Sequence, residues 1–141
     1  MLIKQLSIFL ENRKGRFTEV TTILGEAGIN MTAFTVAENS DFGIVRLIVS
    51  DPEKARYVLR ENKYAVSITD VLCLQMPNVP GALSKVMKII TNADISIEYM
   101  YAFSFGNGAV VIIRPDSLEK ALSVLSENKV DLLASGELFA L

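Results

Sequence analysis

The sequence predicts an α+β fold made of two βαββαβ modules with antiparallel sheets. The main observation is an internal repeat: residues 12–63 return as residues 78–129, 66 positions later, as when Gly15 returns as Gly81. The spacing slips by one residue where Gly43 pairs with Gly108. The second observation is that each copy alternates apolar residues with period two and then with helical spacing, in the same order. A repeat longer than the roughly 20–50 residues of a solenoid unit indicates a duplicated domain.

The first half of module one predicts a strand, a helix and a strand. Apolar residues alternate at 6–10, and a turn composition follows at 11–15. Apolar residues then recur at helical spacing over 17–27, and Gly28 is well placed to end that helix. A second strand is predicted at 29–37.

The rest of module one supplies a hairpin, a helix and a last strand. Residues 39–43 have a hairpin composition, and 44–49 is largely apolar on both faces, as expected of a central strand. The Asp51-Pro52 pair starts a helix, with Asp as N-cap and Pro at the first helical position. A strand at 65–70 completes a ferredoxin-like split βαβ arrangement.

The second module repeats this order, with the Asn-Gly signal of a tight hairpin at 106–108. Its predicted elements are a strand at 72–76, a turn at 77–81, a helix after it, strands at 95–103 and 110–113, a helix from Leu118 and a last strand at 136–141.

No linker separates the modules, so the domains are assigned to residues 1–70 and 71–141. Domains of roughly 60–70 residues are marginal alone because they bury little surface. We therefore expect the two modules to pack together as a pseudo-symmetric pair.

Composition excludes several classes of function. The chain contains no histidine, so the commonest general base and metal ligand are missing. Its single Cys73 lies in an apolar run, which predicts a core thiol. No glycine-rich phosphate loop follows a strand, and no apolar stretch approaches the roughly 20 residues that span a bilayer. We expect a cytoplasmic protein without catalytic residues, metal, cofactor or membrane partner.

Charge argues against nucleic acid as a partner. The formal net charge is −2, without the basic face of a ferredoxin-like RNA binder. Arg13, Lys14 and Arg16 form a small basic cluster. They are either solvated loop charges or residues that attract an anionic ligand.

Each copy places a glycine at the start of a helix, at Gly15 and Gly81. Free N–H groups and the helix dipole attract a carboxylate there, and glycine lets a ligand approach the backbone. The alternative is that these glycines only make the turn. Asn12 and Asn78 precede them at the same point, and would either bond a ligand or close an Asx-turn.

These segments resemble the strand-to-helix motif of ACT domains. The motif is carried by residues 10–17 and 76–83, and the entry into the second strand by residues 26–31 and, more loosely, 92–97. The resemblance covers essentially the whole chain, twice. The first copy departs from the pattern because Lys14 stands where the motif usually has proline.

The resemblance implies a non-catalytic regulatory protein that binds a free amino acid as an allosteric effector. In such domains two modules commonly pair side by side, and the glycine loop of one faces the second strand of its neighbour. Backbone amides would hold the carboxylate, and the Asn side chains would help to hold the ammonium. The implied ligand-binding residues are Asn12, Gly15, Arg16, Phe17, Asn30 and Met31 in copy one, and Asn78, Gly81, Ala82, Leu83, Ser96 and Ile97 in copy two.

The copies differ, so we expect one site to dominate. Tyr99, Tyr101 and Phe103 alternate on one strand face of copy two, where they either fill a core or interface or line a pocket. The alternative function is a regulatory small subunit that docks on an amino-acid biosynthetic enzyme, such as a branched-chain synthase. The partners to consider are therefore a free amino acid, such an enzyme and a second copy in a homodimer.

Overall fold

A computed structural model describes residues 2–11, 13–38 and 41–141. The described chain forms two compact units: one is Lys4–Thr69, and the other comprises the residues from Asp70 to Leu141 together with Ile3. Both units mix helices with antiparallel strands in βαββαβ order, which confirms the predicted α+β class. The hairpin predicted at 39–43 falls partly outside the described residues.

The first unit has the strand order β2-β3-β1-β4. Its elements are β1 (Ile3–Glu11), α1 (Arg16–Glu26), β2 (Met31–Glu38), β3 (Phe42–Val49), α2 (Pro52–Glu61) and the first part of β4 (Ala65–Pro77).

Local sequence explains how α1 forms and ends. Leu6 and Ile8 of β1 pack in one core with Val20 and Leu24 of α1, all fully buried. Gly28 then adopts a left-handed φ of +72°, and the N–H of Ile29 donates to the carbonyl of Leu24 at 2.9 Å. This is a glycine-ended helix, as predicted.

The second unit has the strand order β5-β6-β4-β7. Its elements are the remainder of β4, α3 (Ala82–Asn92), β5 (Ile97–Phe105), β6 (Gly108–Pro115), α4 (Leu118–Glu127), β7 (Asp131–Leu132) and α5 (Ser135–Phe139).

The C-terminus corrects the sequence prediction. The strand expected at 136–141 is wrong: β7 has only two residues, and the short helix α5 follows, with Leu138 1% exposed. The carboxylate of Glu137 accepts a hydrogen bond of 3.1 Å from the N–H of Ala134, which closes the start of α5. A local cap of this kind decides for a helix in a short apolar segment whose periodicity fits either structure.

In the second unit, both faces of the sheet bury apolar side chains. Leu72 and Leu74 face the helices, whereas Cys73 between them faces the other way and is also fully buried. The prediction of a core thiol is thus confirmed. Tyr101 and Phe103 of β5 pair with Ile112 and Val110 of β6, so these rings lie half-buried on the face opposite the helices.

Candidate ligand-binding site

Both glycine-led helices begin without a side-chain cap. Gly15 and Gly81 are the N-cap residues of α1 and α3, each with a left-handed φ of +87°. By contrast, Asp51 and Ser117 cap α2 and α4 with side-chain oxygens. Because glycine has no side chain to accept from the first turn, the N–H groups of α1 and α3 suit an anionic ligand.

In the first unit, Arg16 is engaged by neighbours within its own module. Its guanidinium carbon lies 5.0 Å from the ring centroid of Tyr64. Its terminal nitrogens lie 3.9 Å from carboxylate oxygens of Glu11 and of Glu19. Burial raises the pKa of Tyr64, and the adjacent Glu19 adds to the rise. The side chain of Arg16, which is predicted to contact a ligand, lies over this buried ring.

The other predicted residues of copy one are also placed by internal contacts. The ring of Phe17 lies 5.8 Å from that of Phe34 on β2. The N–H of Asn30 donates to the hydroxyl of Ser50 at 3.0 Å, and Met31 packs against the core. Asn12 lies outside the described residues.

In the second unit, the loop before α3 meets strand β5. The side-chain amide of Asn78 donates to Ser104 Oγ at 3.2 Å, and its N–H donates to the carbonyl of Asn107 at 3.0 Å. Sequence reasoning missed Ser104, because its contact depends on the register of β5 and β6 rather than on any local motif. A depression of about 230 Å³ lies here, with Asn78, Ala82, Leu83, Ala102, Phe103 and Ser104 among its lining residues.

Ser96 and Ile97 lie at the other end of the same sheet. Ile97 pairs with Pro115, whereas Pro77, beside the glycine loop, pairs with Gly108. Those partners are seven residues apart on β6, which is about 23 Å of strand. Within one module, the glycine loop and these residues are therefore too far apart to contact the same ligand. Their role in binding stays a prediction. Residues 30 and 31 have the same relation to the loop of copy one.

A larger groove of about 900 Å³ also borders the loop. Gly81 and Ala82 line it together with Lys85, Val86 and Ile89 of α3 and the connection from α4 to β7. The two depressions of the second unit thus share a common wall, made of Met76, Pro77, Val79 and Ala82.

Two other features are absent from the described part of the chain. Those residues contain no group of three or more His, Cys, Asp or Glu side chains that could hold a metal ion. None of their helices is both long and apolar enough to cross a membrane.

Comparison with known proteins identifies the class of this fold. A family model described as an ACT domain pair matches residues 1–141. A crystal structure of a protein from Bacteroides thetaiotaomicron is 54% identical to the chain, with a TM-score of 0.96, and the match covers 100% of this chain and 98% of that one. No curated protein matches the sequence.

More distant structures share the fold. The ligand-free regulatory subunit of aspartate kinase from Thermus thermophilus is 16% identical with a TM-score of 0.65, and the match covers 89% of this chain and 93% of that one. The corresponding subunit from Thermus flavus is 16% identical with a TM-score of 0.63, covering 88% and 90%.

The two units are thus α+β modules of the βαββαβ type. The chain belongs to the ACT domain family, as a pair of such domains. Membership of this family supports a regulatory, ligand-binding role.

Proposed function

We propose that the protein is a non-catalytic regulatory protein that binds a free amino acid at the glycine loop of its second module. The observation that supports this is the depression of about 230 Å³ between the α3 start and β5. It is smaller than the roughly 300–1,000 Å³ of complete small-molecule sites. A module from another copy of the chain would complete the site.

The chemistry of the loop suits an amino acid. N–H groups of the first turn of α3 would hold the carboxylate, because Gly81 provides no capping side chain. The amide oxygen of Asn78 is an acceptor for the ammonium, since its amide nitrogen already donates to Ser104. The ligand side chain would lie against Leu83, which is 42% exposed.

A thermal-shift screen with the twenty amino acids tests the proposed ligand class. A ligand at about 100 times its dissociation constant stabilises the folded state by roughly 2.7 kcal/mol. We expect one amino acid, or a few related ones, to raise the melting temperature. If none of the twenty does so, the proposal is wrong.

A matched pair of substitutions tests the proposed position. Ala102 lines the depression, and Val36 stands 66 residues earlier, at the equivalent point of copy one, 48% exposed. We expect Ala102→Phe to fill the depression and abolish binding of the amino acid found in the screen, while Val36→Phe leaves it unchanged. The opposite result would move the site to the first module, and two unaffected variants would reject the loop assignment.

The alternative function is docking on a biosynthetic enzyme. It is supported by an exposed aromatic patch in the first copy that the second copy does not repeat. Phe9 and Phe42 are 49% and 55% exposed, and the pairing of Phe9 with Ile44 puts both rings on one sheet face. Their equivalents in copy two are Gln75 and Gly108. A stoichiometric complex with such an enzyme, lost in Phe9→Ser, would favour this alternative. A free protein that binds an amino acid by itself would favour the first.

A further inference from the structure

The groove beside α3 is large enough to be a site in its own right. This α3 groove is lined by α3, the turn before it, the tip of the β5–β6 hairpin and the α4–β7 connection. Its volume of about 900 Å³ lies within the range of roughly 300–1,000 Å³ typical of small-molecule sites. The side chains that matter to the argument are Lys85, Val86, Ile89, Lys129, Val130 and Asp131.

The duplication explains why this space is open. Ala82 and Val130 of the groove occupy the positions that Arg16 and Tyr64 occupy in copy one. There the guanidinium carbon lies 5.0 Å from the ring centroid, and Tyr64 is 5% exposed. Copy two replaces both large side chains with small ones while keeping the same backbone order. In the first module the Arg–Tyr pair therefore occupies this position. In the second module the same position is open.

The charges around the two positions also differ: one acid is lost and the other is replaced by a lysine. In copy one the cationic Arg16 lies near the carboxylates of Glu11 and Glu19. In copy two the equivalents of these acids are Pro77 and Lys85.

The charged side chains that line the groove carry a net positive charge. Lys129, held in a left-handed conformation with φ of 57°, adds a second cation to the lining. Asp131 is the acidic residue among the lining side chains, so two cations face one anion. A site that in copy one accommodates a cation is thus suited in copy two to an anion.

We propose that the α3 groove binds a small organic anion with a flat apolar body. Its carboxylate pairs with Lys85 and Lys129, and its body takes the place of the missing Tyr ring against Val86, Ile89 and Val130. The groove borders the depression at β5 through Met76, Pro77, Val79 and Ala82, but Lys85 and Val130 line the groove alone.

Three probes of the same shape and different charge test the proposal. Benzoate, neutral benzamide and cationic benzamidine are titrated into the full chain while backbone amide resonances are recorded by NMR. We expect benzoate to shift the amides of Lys85 and Val130 with a millimolar dissociation constant, and benzamidine to leave them unmoved. Equal effects of benzoate and benzamidine, or no benzoate effect at these amides, would overturn the proposal.

Substitutions that rebuild copy one inside copy two provide the second test. Val130→Tyr restores the ring, and Lys85→Glu restores the acid; each is expected to weaken benzoate binding by about tenfold or more. Lys88→Glu is the matched control, since Lys88 is an exposed cation on the same helix outside the groove. If Lys85→Glu and Lys88→Glu weaken binding equally, the effect is general charge and the proposal fails. Lys85→Glu changes a surface residue, so the test stands even if Val130→Tyr does not fold.

Discussion

At the scale of single residues, Cys73 shows how burial alone sets the chemistry of a side chain. It is fully buried between Leu72 and Leu74, and burial raises the pKa of its thiol to about 12. The thiolate is the reactive form, so this cysteine is a structural side chain rather than a nucleophile.

The raised pKa of Cys73 predicts a loss of stability in alkali. Below pH 9 the thiol is neutral in both states, so the stabilisation is fully present there. As the pH rises from about 9 to about 12, only the unfolded thiol ionises, so stability falls by up to about 1.4 kcal/mol per pH unit from this group. Urea denaturation across that range should show a steeper decline for the native chain than for Cys73→Ala. Parallel declines in the two chains would refute the prediction.

At the scale of elements, four helices are each followed by a residue in the left-handed conformation, and the type of that residue differs. α1 is followed by Gly28 with φ +72°, the conformation that glycine adopts without strain. The ends of α2, α3 and α4 place Lys63, Asp94 and Lys129 in the same left-handed region, with φ of 68°, 59° and 57°. These three residues carry the cost of a Cβ in that conformation.

Replacing one of these residues with glycine is expected to stabilise the fold. Lys63 is exposed, so Lys63→Gly removes strain without removing core packing. The strain relieved is about 1–2 kcal/mol, partly offset by about 0.4–1 kcal/mol from the freer unfolded chain. We expect a net gain of about 1 kcal/mol in urea denaturation. Lys63→Ala, which keeps the Cβ, should show no such gain; a Lys63→Gly protein less stable than Lys63→Ala would contradict the argument.

At the scale of the whole molecule, one strand belongs to both units. β4 runs through 13 residues, of which Ala65–Thr69 lie in the first unit and those from Asp70 onward in the second. Arg114 of β6 donates to the carbonyl of Asp70 at 2.6 Å, so the first residue of β4 that lies in the second unit is itself hydrogen-bonded. β4 is therefore continuous across residues 69 and 70.

This shared strand predicts a single cooperative unfolding transition. Because each module is marginal alone, we expect both to unfold together. A short Gly-Ser insertion between Thr69 and Asp70 should split the calorimetric transition or lower its midpoint strongly. The same insertion at the exposed hairpin tip between Gly106 and Asn107 is the control and should have little effect. Equal effects at the two positions would show that the continuity of β4 does not matter.

Local sequence predicted most of the fold. The repeat, the order of the elements, the end of α1 at Gly28 and the burial of Cys73 all follow from periodicity and short-range backbone preference. The C-terminal strand was predicted wrongly, since the Glu137 cap is a stronger determinant than a short apolar alternation. The predicted ligand-binding role of the twelve residues remains untested, and Asn12 lies outside the described chain.

The sequence by itself determined that there are two like modules with glycine-led helices, because that information lies in neighbouring residues. Only the tertiary structure decided what stands beside each helix. Arg16 meets Tyr64 across 48 positions of chain, and Asn78 meets Ser104 across 26. Such contacts depend on strand register and helix packing. Two copies with similar sequence patterns therefore differ in the space beside the helix that a ligand could occupy.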